Sequence, residues 1–321
     1  MACWRHLFSV VTPTFNRAHT LERVYRSLQE QSFQDFEWVV VDDGSTDRTR
    51  TQVQEWQQEA SFPIRYIWQP NQHKKTAFNN GVRQARGEWL VAIDSDDELD
   101  PNALYQMAQV WEQVPPAQRS RYVAITGLCA RPDGQVVGDM YPDDVMDITS
   151  LDMTFRYHVR GEKFGCLRTD VLRQFPFPED IPGFVPESLV WRSIARAGYL
   201  TRFVNQVFRV YHDSGDGLSR QRQAADSSRH ALGLWLLSYD TVECCLPWLR
   251  YQPSSFLAAA VRYTRFALHL RARRVARPQG RRLTHPLSRL LVVVMWPAGV
   301  VLYARDRVRE AIARSKHPVA T

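Results

Sequence analysis

Short apolar runs alternate with segments of helical periodicity over the first third of the chain. Each run is short and rich in β-branched or aromatic residues, which predicts a buried strand. Between the runs, apolar residues recur at spacings of three and four, as at Leu21, Val24 and Leu28, which predicts amphipathic helices. This alternation predicts a mostly parallel sheet that is covered by helices on both faces. The predicted strands are 7–11, 36–41, 64–68 and 89–93. The predicted helices are 21–28, a segment through Val53 and Trp56, 76–86, and 101–112 with Asp100 as the N-cap and Pro101 as the first helical residue.

Polar residues cluster directly after three of these strands. The carboxyl ends of the strands in a doubly wound sheet form its ligand crevice, so the three clusters should converge on one edge. Ordinary loops and helix caps would explain Asp47, Asp100 and one acid of the second cluster. The clusters are Thr12 to Asn16 after the first strand, Asp42 and Asp43 after the second, and Asp94, Asp96 and Asp97 after the fourth.

The third cluster is the most acidic of the three. Like charges at one strand end are costly unless a cation offsets them. Asp94 and Asp96, one residue apart, suit a hard divalent cation such as Mg²⁺ or Mn²⁺, which prefers oxygen ligands and is often shared with substrate phosphates. An Asp-x-Asp pair alone is a weak signal, because it occurs by chance in many proteins.

The motifs and their order together carry far more information than the acidic pair does. With them, the sequence closely resembles the family 2 glycosyltransferases, specifically over about residues 7–112 and more loosely to about residue 215. The resemblance implies an α/β architecture: the A-type glycosyltransferase fold, a mostly parallel Rossmann-like sheet flanked by helices, here with a helical, basic C-terminal extension. The matching stretches are 9–17 (SVVTPTFNR), 39–47 (VVVDDGSTD), 77–90 (AFNNGVRQARGEWL) and 94–97 (DSDD).

The resemblance also implies roles for individual residues. Phe15 would lie against the nucleotide base and Asp43 would hydrogen-bond it. Asp94 would face the ribose or the sugar, and Asp96 would ligate an Mg²⁺ or Mn²⁺ ion that bridges the diphosphate. The other residues implied to contact the nucleotide-sugar are Pro13, Thr14, Asn16, Lys74, Lys75, Asn79 and Ser95.

Simpler explanations exist for several of these residues. Phe15 could belong to the core, Asp96 could be a loop acid that binds no metal, and Lys74 and Lys75 could form a solvated face. The stretch His73-Lys74-Lys75 also stands where the family commonly has a Gly-rich segment, so either lysine is a candidate for the diphosphate contact.

An inverting transfer needs a carboxylate that takes the proton of the acceptor hydroxyl. The candidate is Glu187, which precedes a helical pattern that ends at Gly198. Family members commonly place an acidic residue, often Glu-Asp, at such a point, and here the pair is Glu-Ser. The alternative role of Glu187 is to stabilise the helix N-terminus. Asp180 and Glu179 are the reserve candidates, and residues 200–211 predict a strand that closes this region.

Charge divides the chain unevenly. Residues 250–321 contain 15 Lys and Arg but only 2 Asp and Glu. The whole chain has a net charge of +7, so the remaining residues together are slightly acidic. Such a basic segment predicts an anionic partner surface. The predicted divisions are 1–112, a nucleotide-sugar-binding half; 113–225, an acceptor-side half of the same catalytic domain; and 226–321, a helical, basic, membrane-associated extension.

Two further features bear on the class of protein and its location. With 44% hydrophobic and 12% aromatic residues the chain can bury a sizeable core, which excludes wholesale disorder. Five cysteines, including the adjacent Cys244 and Cys245, give no disulfide framework and no CxxC pattern, so a reducing cytoplasmic setting is predicted. The apolar run at 7–11 is too short for a signal peptide.

The basic segment has two predicted parts. Residues 253–276 predict a helix, and residues 290–304 form an uncharged stretch that Pro297 and Gly299 interrupt. Fifteen residues are fewer than the roughly 20 that a spanning helix needs, so an interfacial or re-entrant segment is favoured over a span. The alternative is a helical hairpin buried against the catalytic domain. Nucleic acid is not the predicted partner, because aromatics are not spaced along a basic groove.

These features predict a metal-dependent, inverting and non-processive glycosyltransferase at the cytosolic face of a membrane. It would move a sugar from a nucleotide-diphospho-sugar to a glycan or lipid-linked acceptor of the cell envelope. Non-processive action is favoured because the Gln-x-x-Arg-Trp motif and the set of spanning helices of polymer-forming members are not found. The alternatives are a nucleotidyltransferase, which would want a Gly-rich basic loop after the first strand, and a catalytically silent membrane-bound scaffold of the same fold.

Overall fold

A computed structural model describes residues 4–212 and 230–316. The chain divides into two compact units. The first comprises residues 1–179 and 190–215, and the second comprises residues 180–189 and 216–321.

The first unit is built on one nine-stranded sheet with the order β3-β2-β1-β4-β8-β6-β9-β5, with β7 paired to β9. Strands β1 to β4, β6 and β9 run in one direction, and β5, β7 and β8 run in the other, so the prediction of a mostly parallel sheet is confirmed. The strands are β1 (His6–Thr14), β2 (Phe36–Asp42), β3 (Ile64–Trp68), β4 (Gly87–Ala92), β5 (Glu98–Leu99), β6 (Tyr122–Ala130), β7 (Val145–Ile148), β8 (Lys163–Arg168) and β9 (Leu200–Val210).

Helices pack on both faces of the sheet, as the alternation of elements predicts. On one face the rings of Tyr25 and Trp56 stack with centroids 4.5 Å apart, within a core of buried apolar residues. On the other face Gly81 lies so close to β1 that a Cβ atom there would be 2.3 Å from Val11 Cγ1. The helices are α1 (Ala18–Gln29), α2 (Thr49–Glu59), α3 (Lys74–Gln84), α4 (Ala103–Glu112), α5 (Ser150–Phe155), α6 (Thr169–Leu172) and α7 (Ser188–Arg196); residues 188 and 189 of α7 belong to the second unit.

Two of the boundaries that differ from the sequence prediction have a clear structural cause. Strand β1 does not end before Pro13 but continues to Thr14. Proline has no backbone N–H, and at position 13 such an N–H would point toward β4. Because β1 pairs with β4 only as far as Val11, the proline removes no hydrogen bond from the sheet. Helix α4 begins at Ala103 rather than at Pro101, because Asp100 forms a turn in which its carboxylate accepts from the backbone N–H of Asn102 (2.9 Å).

The described part of the second unit is mostly helical. Its helices are α8 (Ala231–Tyr239), α9 (Pro253–Ala272) and α10 (Pro286–Lys316), with a π-helical turn at Asp240–Cys244 and a 3₁₀ turn at Leu246–Trp248. Helix α9 ends four residues earlier than predicted. The predicted interruption at Pro297 and Gly299 is wrong, because α10 is continuous through both residues.

The environment of these two residues explains why α10 does not break. Pro297 is exposed, so the carbonyl that lacks its usual helix partner can reach water. Gly299 faces α9, where a Cβ atom would lie 2.5 Å from Thr264 Cβ, so the missing side chain allows close packing. Among the described residues, one helical segment, Pro286–Ile312, has the length and mean hydropathy (1.8) to cross a membrane. The sequence favoured an interfacial segment over a span because the uncharged stretch has only 15 residues. That reason does not hold, because the apolar helical segment has 27 residues.

Candidate active site

The loops that follow β1 and β2 lie side by side and hydrogen-bond each other. Thr14 pairs with Asp42 at the ends of the two strands, and Asp43 N–H donates to the Thr14 carbonyl (2.8 Å). Beyond the strands, Asn16 N–H donates to Ser45 Oγ (2.8 Å) and Asn16 Oδ1 accepts from Thr46 N–H (2.8 Å). Asn16 has a φ of 52°, a left-handed conformation that Asn tolerates better than most residues. The two loops therefore form one structure at the carboxyl edge of the sheet.

Phe15 and Thr14 present unused surface at this edge. The Phe15 side chain is 46% exposed, so the alternative that places it in the core is wrong. Pro13 is buried beside it. Thr14 Oγ1 is buried and has no hydrogen-bond partner within residues 4–212 and 230–316. A flat apolar ring next to an unpaired hydroxyl is suited to a ligand that has an aromatic face and polar edges.

The adjacent acids, Asp42 and Asp43, differ in their partners. Asp43 is buried, and its Oδ1 accepts from Gln69 Nε2 (2.8 Å) and from Gln72 N–H (2.9 Å). Asp42 accepts from the Tyr66 hydroxyl (2.5 Å) and from Ser45 N–H (2.7 Å). Burial and the bond to Asp42 raise the pKa of the Tyr66 hydroxyl. Asp42 thus supports the loop, while Asp43 stands in a fixed orientation beside it.

The third cluster follows β4 in a turn that is closed by Asp97 N–H donating to the Asp94 carbonyl (3.2 Å). Arg23 of α1 holds this turn by donating to the Asp96 carbonyl (2.6 Å). Ser95 is buried within it. Carboxylate oxygens of Asp94, Asp96 and Asp97 lie within 4.8 Å of one another, the separation and chemistry that a hard divalent cation requires.

Asp97 differs from the other two acids because it is buried in an ion pair. Arg209, at the end of β9, lies 3.1 Å from Asp97 Oδ2, and both side chains are less than 10% exposed. The N–H of His212 donates to Asp97 Oδ1 (3.2 Å). Burial raises the pKa of Asp97 to about 7, although Arg209 opposes the rise. Since Asp97 is held by Arg209, Asp94 and Asp96 are the acids best placed to hold a cation.

Helix α3 brings one lysine to the acidic turn. Lys74 Nζ lies 2.6 Å from Asp94 Oδ1. Lys75 is only 8% exposed, so the alternative that Lys75 forms part of a solvated face is wrong. The residue before the helix, His73, has a φ of 72°, which sets the chain direction at the start of α3.

Asn79, also on α3, is used for structure. Its amide donates to the Phe177 carbonyl (2.9 Å) and to Glu179 Oε1 (2.8 Å), and its oxygen accepts from Phe177 N–H (3.0 Å). The side chain is buried. The amide nitrogen and oxygen of Asn79 are thus engaged by Phe177 and Glu179. We therefore do not include Asn79 in the proposed nucleotide-sugar site.

Comparisons with known proteins agree with this geometry. The sequence model described as glycosyl transferase family 2 matches residues 9–131, a range that contains both loops, Lys74 and the acidic turn. Residues 9–131 thus match glycosyl transferase family 2, the family that the motifs resemble. The prediction from the motifs is therefore confirmed.

The relatives of this chain include a curated protein of Campylobacter jejuni named GalNAc(5)-diNAcBac-PP-undecaprenol beta-1,3-glucosyltransferase. It is 29% identical over 209 residues, which are 63% of this chain and 63% of that protein. The match thus spans less than two thirds of the relative's length.

Solved structures show the same fold. A Staphylococcus aureus TarS fragment in complex with UDP-GlcNAc superposes with a TM-score of 0.57 at 18% identity, covering 93% of this chain and 81% of that one. The mannosyltransferase PcManGT of Pyrobaculum calidifontis, in complex with GDP-Man and Mn²⁺, gives a TM-score of 0.58 at 20% identity, covering 94% and 88%. The A-type fold predicted for the family 2 domain is confirmed.

The acids proposed as general base lie outside the matched range. Glu187 is exposed and directly precedes α7. The segment 180–189 packs within the second unit, where the rings of Phe184 and His230 lie 5.7 Å apart. In the first unit, Glu179 accepts from Asn79 and from Arg83 (2.9 Å), and these hydrogen bonds lower the pKa of its carboxyl group. A lowered pKa makes a weaker base, which favours the other two acids, Glu187 and the exposed Asp180.

Sequence reasoning missed several residues of the site. Arg209 is the most important of them, because it neutralises one member of the acidic cluster from 112 positions away along the chain. The only signal for it was a charged residue inside the apolar strand predicted at 200–211. Tyr66, Gln69 and Gln72, which hold the acids after β2, gave no signal in the sequence.

Proposed function

We propose that this chain transfers a sugar from a nucleotide-diphospho-sugar to a glycan or lipid-linked acceptor, with inversion at the anomeric carbon. The observation that carries the proposal is the pairing of Lys74 with Asp94 beside Asp96, within a family 2 domain. One cation and two carboxylates at one sheet edge suit a diphosphate that is bound together with a divalent metal ion.

The proposed donor site uses both linked loops. The Phe15 ring lies against the nucleotide base, and Asp43, oriented by Gln69 and Gln72, accepts a hydrogen bond from the base edge. The unpaired Thr14 hydroxyl is available to the same nucleoside. The related structures that contain UDP-GlcNAc and GDP-Man are consistent with a nucleotide-sugar donor.

The proposed diphosphate site lies at the acidic turn. Asp96, with Asp94 beside it, would hold Mg²⁺ or Mn²⁺, which when bound offsets the charge that develops on the leaving nucleoside diphosphate. Lys74 stabilises the same negative charge from the first turn of α3. The complex of the Pyrobaculum mannosyltransferase with Mn²⁺ supports a metal of this class.

The proposed chemical step is a single displacement. The acceptor oxygen attacks the anomeric carbon while the bond from that carbon to the diphosphate oxygen breaks, and the nucleoside diphosphate leaves with the bonding electrons. The acceptor's proton passes to a carboxylate, for which Glu187 is our choice and Asp180 and Glu179 are the reserves. Attack opposite to the leaving group inverts the configuration.

The proposed acceptor belongs to the cell envelope. The Campylobacter relative is named for an undecaprenol-linked glycan, which suggests a lipid-linked acceptor and a reaction at the cytosolic face of a membrane. Non-processive addition of one or a few sugars, rather than polymer formation, is the proposed mode of action.

A test of the function combines binding and turnover. The full chain should gain thermal stability with one nucleoside diphosphate of a panel, and more so with Mn²⁺ present, and it should hydrolyse the matching nucleotide-sugar slowly without acceptor. Asp96→Ala should lose the Mn²⁺-dependent part of the stabilisation and at least about 100-fold in turnover. A matched control is Asp133→Ala, in an exposed turn of the same unit.

The outcomes separate the proposal from its rivals. Pyrophosphate release from a nucleoside triphosphate would show a nucleotidyltransferase. Stabilisation without turnover of any donor would show a silent scaffold. Full activity of Asp96→Ala in the presence of a chelator would overturn the metal assignment.

A further inference from the structure

Helix α10 has two opposite faces with different surroundings. The inner face packs within the second unit: Ser288 Oγ donates to the Val242 carbonyl (2.7 Å), Gly299 contacts Thr264, and Asp306 accepts from Arg265 and lies 3.0 Å from His269 Nε2. These three α10 residues are 11 and 7 positions apart, which places them on one stripe of an α-helix. The inner face is thereby held in the first turn of α10, near its middle and at Asp306.

The outer face of α10 is apolar and exposed. It carries a strip of large side chains between 36% and 70% exposed, and no charged residue lies between Arg289 and Arg305. At 1.5 Å per residue this uncharged stretch of fifteen residues is roughly 22 Å long. A continuous strip of this size on a protein surface marks an interaction site. The strip residues are Leu287, Leu290, Val293, Val294 and Val301.

The charge around the strip identifies the occupant. Exposed arginines lie at its borders, Arg289 and Arg305, and continue at Arg307 and Arg309. The exposed connection between α9 and α10 adds five more, within a segment of 15 basic and 2 acidic residues. Two copies of such a segment repel each other, whereas an anionic lipid surface attracts it. Exposed Trp296, next to the strip, is a residue type that is enriched at membrane–water interfaces.

We propose that the outer face of α10 docks into an anionic lipid bilayer, with the helix lying in the plane of the membrane. The apolar strip enters the boundary between head groups and acyl chains, and the flanking arginines contact lipid phosphates. This inference rests on the surface of the second unit alone and does not depend on the transferase reaction.

The packing of α10 on α9 favours this orientation over a span. The two helices run side by side in the same direction, since Thr264 of α9 meets Gly299 and His269 meets Asp306. If α10 crossed the bilayer with α9 attached, the exposed Arg262 of α9 would enter the hydrocarbon. If α10 crossed alone, Asp306 would lose both of its partners. Either arrangement places a charge at membrane depth, which is strongly unfavourable.

The first test measures binding of the purified full chain to sealed vesicles by flotation. Binding should be strong to phosphatidylcholine vesicles that contain phosphatidylglycerol and weak to phosphatidylcholine alone. Val301→Glu, in the strip, should weaken binding to anionic vesicles roughly 10- to 100-fold. The matched control is Val145→Glu on β7, an exposed valine (48%) of the first unit, which should bind as the parent does. Equal binding of the two variants would overturn the proposal. It would also be overturned if the parent were a dimer in the absence of lipid and only Val301→Glu dissociated that dimer.

The second test determines the orientation. His285→Cys and Arg309→Cys place thiols just outside the two ends of the strip, and the parent gives the background from the native cysteines. With vesicle-bound protein, a membrane-impermeant maleimide should label both positions as fully as it does after detergent is added. Labelling of one position alone until detergent is added would show a span and overturn the in-plane docking.

Discussion

The ammonium group of Lys74 lies 2.6 Å from Asp94 Oδ1, so the first residue of α3 is paired with the first carboxylate of the Asp-Ser-Asp turn. Both side chains are more than a third exposed, and such a pair contributes only about 0–1 kcal/mol to stability. Breaking the pair therefore costs little free energy. Each partner is then available to a different part of the proposed ligand: Lys74 to a phosphate oxygen, and Asp94 to a sugar hydroxyl or a cation.

Replacement of Lys74 should weaken donor binding without unfolding the protein. Lys74→Gln removes the positive charge that faces the diphosphate, so the donor KM should rise and kcat/KM should fall about 10- to 100-fold. The thermal midpoint should change little, because the pair is half exposed. Steady-state kinetics over a range of donor concentrations measures the effect. Arg26→Gln on α1, whose ion pair with Glu22 is also exposed, serves as the control.

Replacement of Glu187 should separate binding from chemistry. Glu187→Gln keeps the size of the side chain but cannot accept the acceptor's proton, so transfer should fall about 100-fold or more while donor binding remains. Transfer and nucleoside-diphosphate-induced stabilisation should both be measured. If Glu187→Gln remains active and Asp180→Asn shows the loss instead, the base is Asp180.

Removal of one partner from the buried ion pair of Arg209 and Asp97 should destabilise the first unit. Arg209→Met leaves Asp97 buried without its counter-ion, which should cost about 3–5 kcal/mol of unfolding free energy. The double variant Arg209→Met/Asp97→Asn removes both charges, and it should be less destabilised than the sum of the single variants. Urea denaturation in the presence of a chelator measures all three. Additive losses would show that the two residues act separately.

Stability should depend on pH through Glu179. Hydrogen bonds from Asn79 and Arg83 lower the pKa of Glu179, so its contribution is present above the unfolded pKa, roughly 4, and is lost as the pH falls through the lower folded value. Glu179→Gln should therefore be less stable than the parent at pH 7, and the two should converge as the pH falls through the folded pKa of Glu179. The exposed control Glu55→Gln should follow the parent throughout. A constant gap between parent and Glu179→Gln would contradict this account.

Local signals carried most of the successful predictions. The buried strands β1 to β4 and the acids that follow them are encoded by neighbouring residues, so periodicity and strand ends located them. Arg209 and Asn79 were beyond such reasoning, because their roles come from contacts 112 and about 98 positions away along the chain. Pro297 shows the opposite error: a rule about isolated helices predicted a break, but the exposed position and the packing of Gly299 keep α10 continuous.

The hydrogen bonds between Asn16 and the loop after β2 have a consequence for protein engineering. The two loops support each other, since the N–H of Asn16 donates to Ser45 Oγ and Asn16 Oδ1 accepts from the N–H of Thr46. A change of donor preference by transplanting a loop from another family 2 domain would therefore succeed only when residues 15–17 and 43–47 are exchanged together, as one cassette.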